Sequence, residues 1–421
     1  MKRREFLKLG GAGVVATGAL SGTAQGQLAP ITIDLTINSS RAMLIDGKYV
    51  NVLAFSSLTI STRVPGPVLR VTEGDRVIVN VTNMRPESHR FEIGGIPGSK
   101  LDIAANATGT VQFTAPGAGT YLYYDNSHGS THLYRLLGLH GAFIVHPAAG
   151  NGMSNGGGLS TITPYSMPRY TASNPAGVTA VSKVFEAFGN APRFPGGKWE
   201  PCELDKEYST QECIWLFTEV DPRLNALITP TGISTSTMTG STAALIASYL
   251  PRYFTINGRS GYDLMQAPDV QIRNYVGEPT LIRTMNAGLA HHSTHIHGNH
   301  MMELAHSIIK TDALDLDSIV PPVGAAAPSI GQVVLHDNVW ERDVWPTWPL
   351  QIRDMLLPFE IPPDIPNWTR LTSAAAQEKF PLRYVMHDHC EMGTTAAGGN
   401  YPQGAVLHWE IAGPVGGRGV T

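Results

Sequence analysis

Five of the chain's 15 histidines fall within ten residues, in "HHSTHIHGNH" from His291 to His300. Two more, His387 and His389, flank Asp388 in "MHDH", and Cys390 follows at once. Residues i and i+2 of a β-strand share a face, so His295 points with His297, and His387 with His389. Two such strands facing each other present four imidazoles to one metal ion or a close pair. Imidazole suits copper, zinc, iron and nickel alike, so spacing leaves the metal open. A lone histidine is more often a hydrogen-bonded core or surface group; two strand-spaced pairs in one stretch of chain argue for ligation. Asp388 and Glu391 lie beside them. A carboxylate there can orient a ligand imidazole or carry protons, the plain alternative being a turn or surface group.

Strands must position these residues, and the chain predicts them. "ITIDLTI", "RVIVNVTN", "HRFEIGG", "GTVQFTA", "GTYLYYD" and "GAFIVHP" are short, rich in β-branched or aromatic residues, and bounded by Gly, Pro or Asn. About seven strands between Ile31 and Pro147 argue for a β-sandwich. Residues 149–205 are rich in Gly, Ser, Asn and Pro and read as a linker. A second set follows: "CIWLFTEV", "RYFTING", "PTLIRTMNAG", "HIHGNHMMELA", "QVVLHDNVW", "LRYVMHDH" and "AVLHWEI". One brief helical spacing occurs at Thr242–Leu250. The Pro- and Trp-rich stretch at about 340–380 reads as an insertion, a packed surface loop or a lid. The expectation is an all-β chain with sandwiches at 30–148 and 206–415.

The N-terminus carries Arg3-Arg4 followed by Phe6-Leu7-Lys8, a Gly/Ala-rich apolar stretch and small residues near Ala24. Residues 1–26 read as a twin-arginine export signal, too short and Gly-rich for a membrane span. The expected location is periplasmic or extracellular, with no span in the mature form. Charge gives no basic excess, with 30 Lys+Arg against 34 Asp+Glu, so nucleic acid is not the expected partner. The 3 cysteines are too few for a disulfide scaffold. Cys202 and Cys213 either pair after export or stay as thiols.

The order of motifs resembles the multicopper oxidase superfamily. "PGPVLRVTEGDRVIVNVTN" (Pro65–Asn83) and "GTYLYYDNSHGSTHLYRLLGLHGAFIVHP" (Gly119–Pro147) are similar to its first cupredoxin domain. "FTINGRS", "GEPTLIRTMNAG" and "HSTHIHG" are similar to its last, and "MHDH" falls where that family has His-Cys-His. The resemblance implies two cupredoxin-like Greek-key β-sandwich domains, copper as cofactor, and a small-molecule or metal-ion substrate. It also implies a homo-oligomer, a trimer with sites between subunits. Carried over, His295 and His297 match the third His-x-His pair of the trinuclear centre, and His387 and His389 the fourth. His89 matches the first member of the first pair, with Phe91 in place of the second. Tyr124 and Asn126 replace the second pair, with His128 and His132 nearby. His292 matches the first histidine of the blue copper site, whose thiolate position is Asp388. The histidine expected just beyond is absent, with Glu391, Met392 and Gly393 there instead. Cys390 serves as the thiolate only with a bulge or register shift; otherwise it is a small packed residue.

Three functions follow. The first is an exported copper oxidoreductase with a histidine-rich site but no normal blue site. The second is a copper-binding or tolerance protein without turnover. The third is a copper-free envelope scaffold, which the four retained histidines argue against.

Overall fold

The computed structural model describes residues 29–58, 62–127, 132–147, 212–234, 247–308, 331–360 and 380–413, with a few isolated positions between 153 and 247. The stretch read as an export signal, most of the stretch read as a linker, part of Thr242–Leu250, Cys202 and His128 lie outside them.

The first part is built from β1 (Ile31–Met43), β2 (Tyr49–Ser56), β3 (Leu69–Thr72), β4 (Arg76–Asn83) and β5 (His89–Ile93), then β6 (Leu101–Ile103), β7 (Thr108–Thr114), β8 (Gly119–Tyr124) and β9 (His140–His146). Strict alternation makes these strands. In β4, Val77, Val79, Val81 and Asn83 are buried while Ile78, Asn80 and Thr82 are partly exposed, so one face must find a core. The strands form a four-stranded sheet, β2-β1-β4-β7, and a five-stranded sheet, β3-β9-β8-β5-β6. Phe55, Phe91, Tyr123 and Phe143 fill the space between them.

Two small hairpins follow, β10 (Met153–Ser154) with β11 (Ser160–Thr161), and β13 (Ile228–Thr229) with β14 (Gly232–Ile233). The second part has β12 (Glu212–Val220), β15 (Tyr253–Ile256), β16 (Arg273–Tyr275), β17 (Thr280–Asn286), β18 (His292–Ile296) and β19 (Met301–Ser307). It continues with β20 (Val333–Arg342), β21 (Val344–Thr347), β22 (Ile352–Leu357), β23 (Leu382–Asp388) and β24 (Val406–Gly413). These form a six-stranded sheet, β15-β12-β17-β22-β19-β20, and a five-stranded sheet, β16-β24-β23-β18-β21.

The two parts repeat one another. In each five-stranded sheet the edge strand pairs parallel with its neighbour and the next pairings are antiparallel. In the other sheet of each sandwich the β1·β4 and β12·β17 pairings are parallel, flanked by antiparallel ones. The chain is therefore two β-sandwiches of one cupredoxin-like topology.

Two readings of the second sandwich need correction. "HIHGNHMMELA" is two strands, because Gly298 takes φ 85 and turns the chain between β18 and β19. A Cβ there would sit 2.5 Å from the Tyr384 ring, so glycine also solves a close approach. The stretch read as an insertion supplies the end of β20, all of β21 and the central strand β22, with Trp345 fully buried. Pro346 sits in β21, at the sheet edge where a missing N–H is tolerated. Residues 361–379 lie outside the described residues.

The sandwiches dock face to sheet. Leu122, Tyr124, Ala142 and Ile144 on the outer side of β8 and β9 pack on Leu216, Met285, Ala287 and Ile352. Beside this apolar patch runs a buried ionic chain. Arg70 reaches Glu212 at 2.7 Å, Arg283 reaches the same carboxylate at 2.8 Å, and Thr120 donates to Asp354 at 2.7 Å.

Candidate metal centre

β18 and β23 lie side by side with His295 directly opposite His387. His297 extends past the end of β18, its N–H donating to the Val385 carbonyl at 2.9 Å. His389 extends past β23, its N–H donating to the Ser293 carbonyl at 2.7 Å. Alternation turns Thr294, Ile296, Met386 and Asp388 inward, leaving all four imidazoles on the outer face of the sheet. The predicted quartet is thus brought together.

Its geometry is that of a ligand set. His295, His297 and His387 each offer a ring nitrogen within 4.8 Å of the others. The His389 ring centroid is 4.5 Å from that of His295 and 5.0 Å from that of His387. His297 Nε2 and His387 Nε2 are 3.3 Å apart. Nitrogens bound at about 2.0–2.1 Å to one ion at a tetrahedral angle sit about 3.3 Å apart, so an ion fits between them. His295 Nδ1 lies 2.9 Å from the Asp343 carbonyl, which fixes the ring and leaves Nε2 to face the cluster. Burial and the neighbouring imidazoles lower the pKa of His297 and His389, favouring the neutral form a metal requires.

His292 is not part of this group. It is buried, its ring 4.7 Å from Phe217, and its Nδ1 is 2.6 Å from Asp388 Oδ2. Two atoms bound to one ion at about 2 Å each stand further apart than that. The pair is therefore a direct hydrogen bond with no room for an ion between its members. Asp388 Oδ1 accepts the N–H groups of Ser293 and Cys390, both at 2.9 Å. Burial raises the Asp388 pKa, but His292 and the two amides outweigh it and hold it below the usual carboxylate value. Asp388, the residue proposed as an acid–base group, is engaged in all three of these contacts. Glu391, the other proposed acid–base residue, is exposed at the start of a 3₁₀ turn, Glu391–Thr394.

Cys390 does not reach His292. Its Sγ lies 3.2 Å from Nε2 of His291, whose ring stacks on Trp348. Burial and Asp388 push the thiol up to about 11, so it keeps its proton at neutral pH. The sulfur is engaged by His291 rather than by the buried His292–Asp388 pair.

His89 also needs correction. Glu92 pairs with Tyr124 in the first sandwich where His295 pairs with His387 in the second. Counting back, His89 holds the place of His292, not of a cluster ligand. Its partner confirms the register: His89 Nδ1 is 2.8 Å from Asp125 Oδ2, and Asp125 is the counterpart of Asp388. Burial disfavours charge on His89, yet the Asp125 and Glu87 carboxylates raise its pKa above the ordinary value. At the positions matching His387 and His389 stand Tyr124 and Asn126. Tyr124 belongs to the apolar patch that docks the second sandwich. His132 lies 2.9 Å from Asn126 Oδ1.

A second group, Glu303, His306 and His336, is buried in β19 and β20 and was not foreseen, since it has no His-x-His spacing. Glu303 is already engaged by Arg353, by Arg342 at 2.5 Å and by His336 at 3.1 Å. Two guanidinium charges at the carboxylate make this an ion-pair network that repels a cation.

Residues 48–150 match the family model described as multicopper oxidase. The chain is similar to the blue copper oxidase from Nitrosomonas europaea, at 19% identity and a TM-score of 0.56, over 91% of this chain and 86% of that one. It is similar to the multicopper oxidase mgLAC, at 19% identity and a TM-score of 0.55, over 93% and 88%. It also resembles the copper nitrite reductase from Nitrosomonas europaea, at 15% identity and a TM-score of 0.51, over 90% and 94%. These likenesses establish the cupredoxin-type fold. No curated protein sequence matches the chain.

Proposed function

We propose that the protein is an exported, copper-binding relative of the multicopper oxidases that works without a type 1 blue copper site. The observation that carries this reading is the cluster on one sheet face in which His295, His297 and His387 are spaced for an ion, with the His389 ring packed beside them. The copper-protein fold around it argues for copper among the metals that imidazole accepts. Bound there, copper supplies one-electron redox chemistry and Lewis acidity.

The chain's own residues set what that chemistry can use. His295 is held in one tautomer by the Asp343 carbonyl. His297 is exposed and His295 and His387 are half-buried, so a small molecule or metal-ion substrate meets the site from solvent. The same open side leaves room for a neighbouring copy, in a homo-oligomer such as a trimer, to complete the ligand set. Where a thiolate would carry electrons to the cluster, Asp388 and His292 close on each other instead. A hard carboxylate cannot provide the covalent copper–sulfur route, so four-electron oxygen reduction fed from a remote donor is not expected. That pair also favours a second reading, a protein that holds or delivers copper without turnover.

The two are separated by assaying copper-loaded protein for oxidation of phenols, ascorbate and reduced metal ions. Turnover with any of these supports the oxidoreductase. Stoichiometric copper with none of them supports the copper-holding protein. The twin-arginine leader and periplasmic or extracellular destination belong to the same proposal; Arg3→Lys with Arg4→Lys should retain the protein in the cytoplasm. Among the described residues no helix is long and apolar enough to cross a membrane.

A further inference from the structure

We infer that Asp388 is a positioning residue for the metal centre, a metal-free clamp that holds the ligand loops in register, and that its twin Asp125 is the same clamp flanked by Tyr124 and Asn126 instead of imidazoles. The inference rests on the reading of the histidine cluster given above.

The two sandwiches repeat one internal feature. Each sandwich buries one histidine at the start of a strand, His89 or His292, against one aspartate at the end of the neighbouring strand region, Asp125 or Asp388. In both, one carboxylate oxygen takes the histidine Nδ1 and the other takes a backbone N–H two residues on. Those amides are Ser127 at 2.7 Å and Cys390 at 2.9 Å. One device therefore occurs twice, in two sequence contexts.

Only in the second sandwich is the device wired to ligands. Asp388 stands between His387 and His389. Its Oδ1 takes the Ser293 N–H at 2.9 Å, while the Ser293 carbonyl takes the His389 N–H at 2.7 Å. The carboxylate thus ties both crossing chains together at the point where His389 leaves the strand. Gly393 seals it: a Cβ there would lie 2.0 Å from Asp388 Oδ2. In the first sandwich the flanking residues are Tyr124 and Asn126, which are not imidazoles. A clamp without copper lets the four rings stand preformed in the empty protein, and loss of its charge-assisted contacts loosens them.

The twin provides the control. Cu(II) affinity is measured by competition with a chelator, the copper signal by paramagnetic resonance, and the stability of the metal-free protein by thermal melting, for wild type, D388N and D125N. The expected result is a loss of about 10–100-fold in copper affinity for D388N, as for other residues that orient ligands, with a broadened, heterogeneous copper signal. D125N should melt earlier and bind copper like wild type. Equal affinity for D388N and wild type, or equal losses in D388N and D125N, overturns the inference. If D388N does not fold, H292N removes the ring donor while sparing the two amide contacts of Asp388. Weaker copper binding in H292N supports the clamp, and unchanged binding contradicts it. Wild type that takes up no copper sinks the reading of the cluster itself, whereas wild type that binds while D388N matches it sinks only the clamp.

Discussion

His387 and Cys390, three residues apart, should respond in opposite ways to substitution. His295→Ala or His387→Ala should abolish copper uptake, because each removes a ligand from the centre of the quartet. Cys390→Ser should leave uptake and spectrum unchanged, because its sulfur faces His291 and not the cluster. Metal analysis after dialysis against copper checks both; a copper-free C390S would show that the thiol is a ligand after all. The quartet was legible from spacing, since i and i+2 on two strands can only share faces. The fate of Asp388 was not. Sequence places a carboxylate beside ligands, but whether it faces the metal or the core depends on strand parity, and position 388 falls on the inward parity. His89 misled for a related reason: motif matching counts along the chain, whereas register is set by the Glu92–Tyr124 pairing three residues away.

At the scale of elements, the segment that delivers β18 is held from both sandwiches. Arg135, on a short helix of the first, donates to the carbonyls of Ala287 and Gly288 at 2.6 and 2.8 Å. Glu219 of β12 accepts the Ala290 N–H at 2.6 Å. Arg135→Met should therefore destabilise the protein, at about 1–3 kcal/mol for each buried carbonyl left bare, and shift the copper spectrum through displaced His292 and His295. Denaturant unfolding with and without copper measures both effects; a neutral R135M would refute the role. Most strands were readable from alternation and β-branched content, and β22 was not, because its flanking Pro- and Trp-rich sequence looks like a loop. Its membership comes from the long-range pairing with β17 and β19, which local composition does not encode.

At the scale of the molecule, acid should loosen the docking of the two sandwiches. Burial raises the Glu212 pKa, but Arg283 and Arg70 outweigh it and lower it from 4.5 to about 2. A carboxylate depressed on folding stabilises fully above its unfolded pKa, and that stability drains as pH falls from about 4.5 towards 2. Asp354, whose pKa burial raises, works the other way within the same network. His140 is buried neutral, with its pKa lowered from 6.5 to about 4, so the unfolded chain takes up a proton there first. The His140 contribution should therefore begin to drain as pH drops through about 6.5, opposed by His89 with its raised pKa, and the Glu212 contribution below 4.5. Glu212→Gln should lower stability at pH 7 by about 3–5 kcal/mol, the cost of breaking a buried pair, and flatten the acid limb of the profile. An E212Q profile parallel to wild type would contradict this. The two-sandwich architecture was legible in the repeated strand pattern, but the docking was not, because Tyr124 and Glu212 reveal their partners only in three dimensions. Optical and paramagnetic resonance spectra of copper-reconstituted protein decide whether histidines hold copper here without a blue site. The expected result is bound copper with nitrogen hyperfine structure and no intense blue band. An intense blue band, or no copper retained at all, would contradict it.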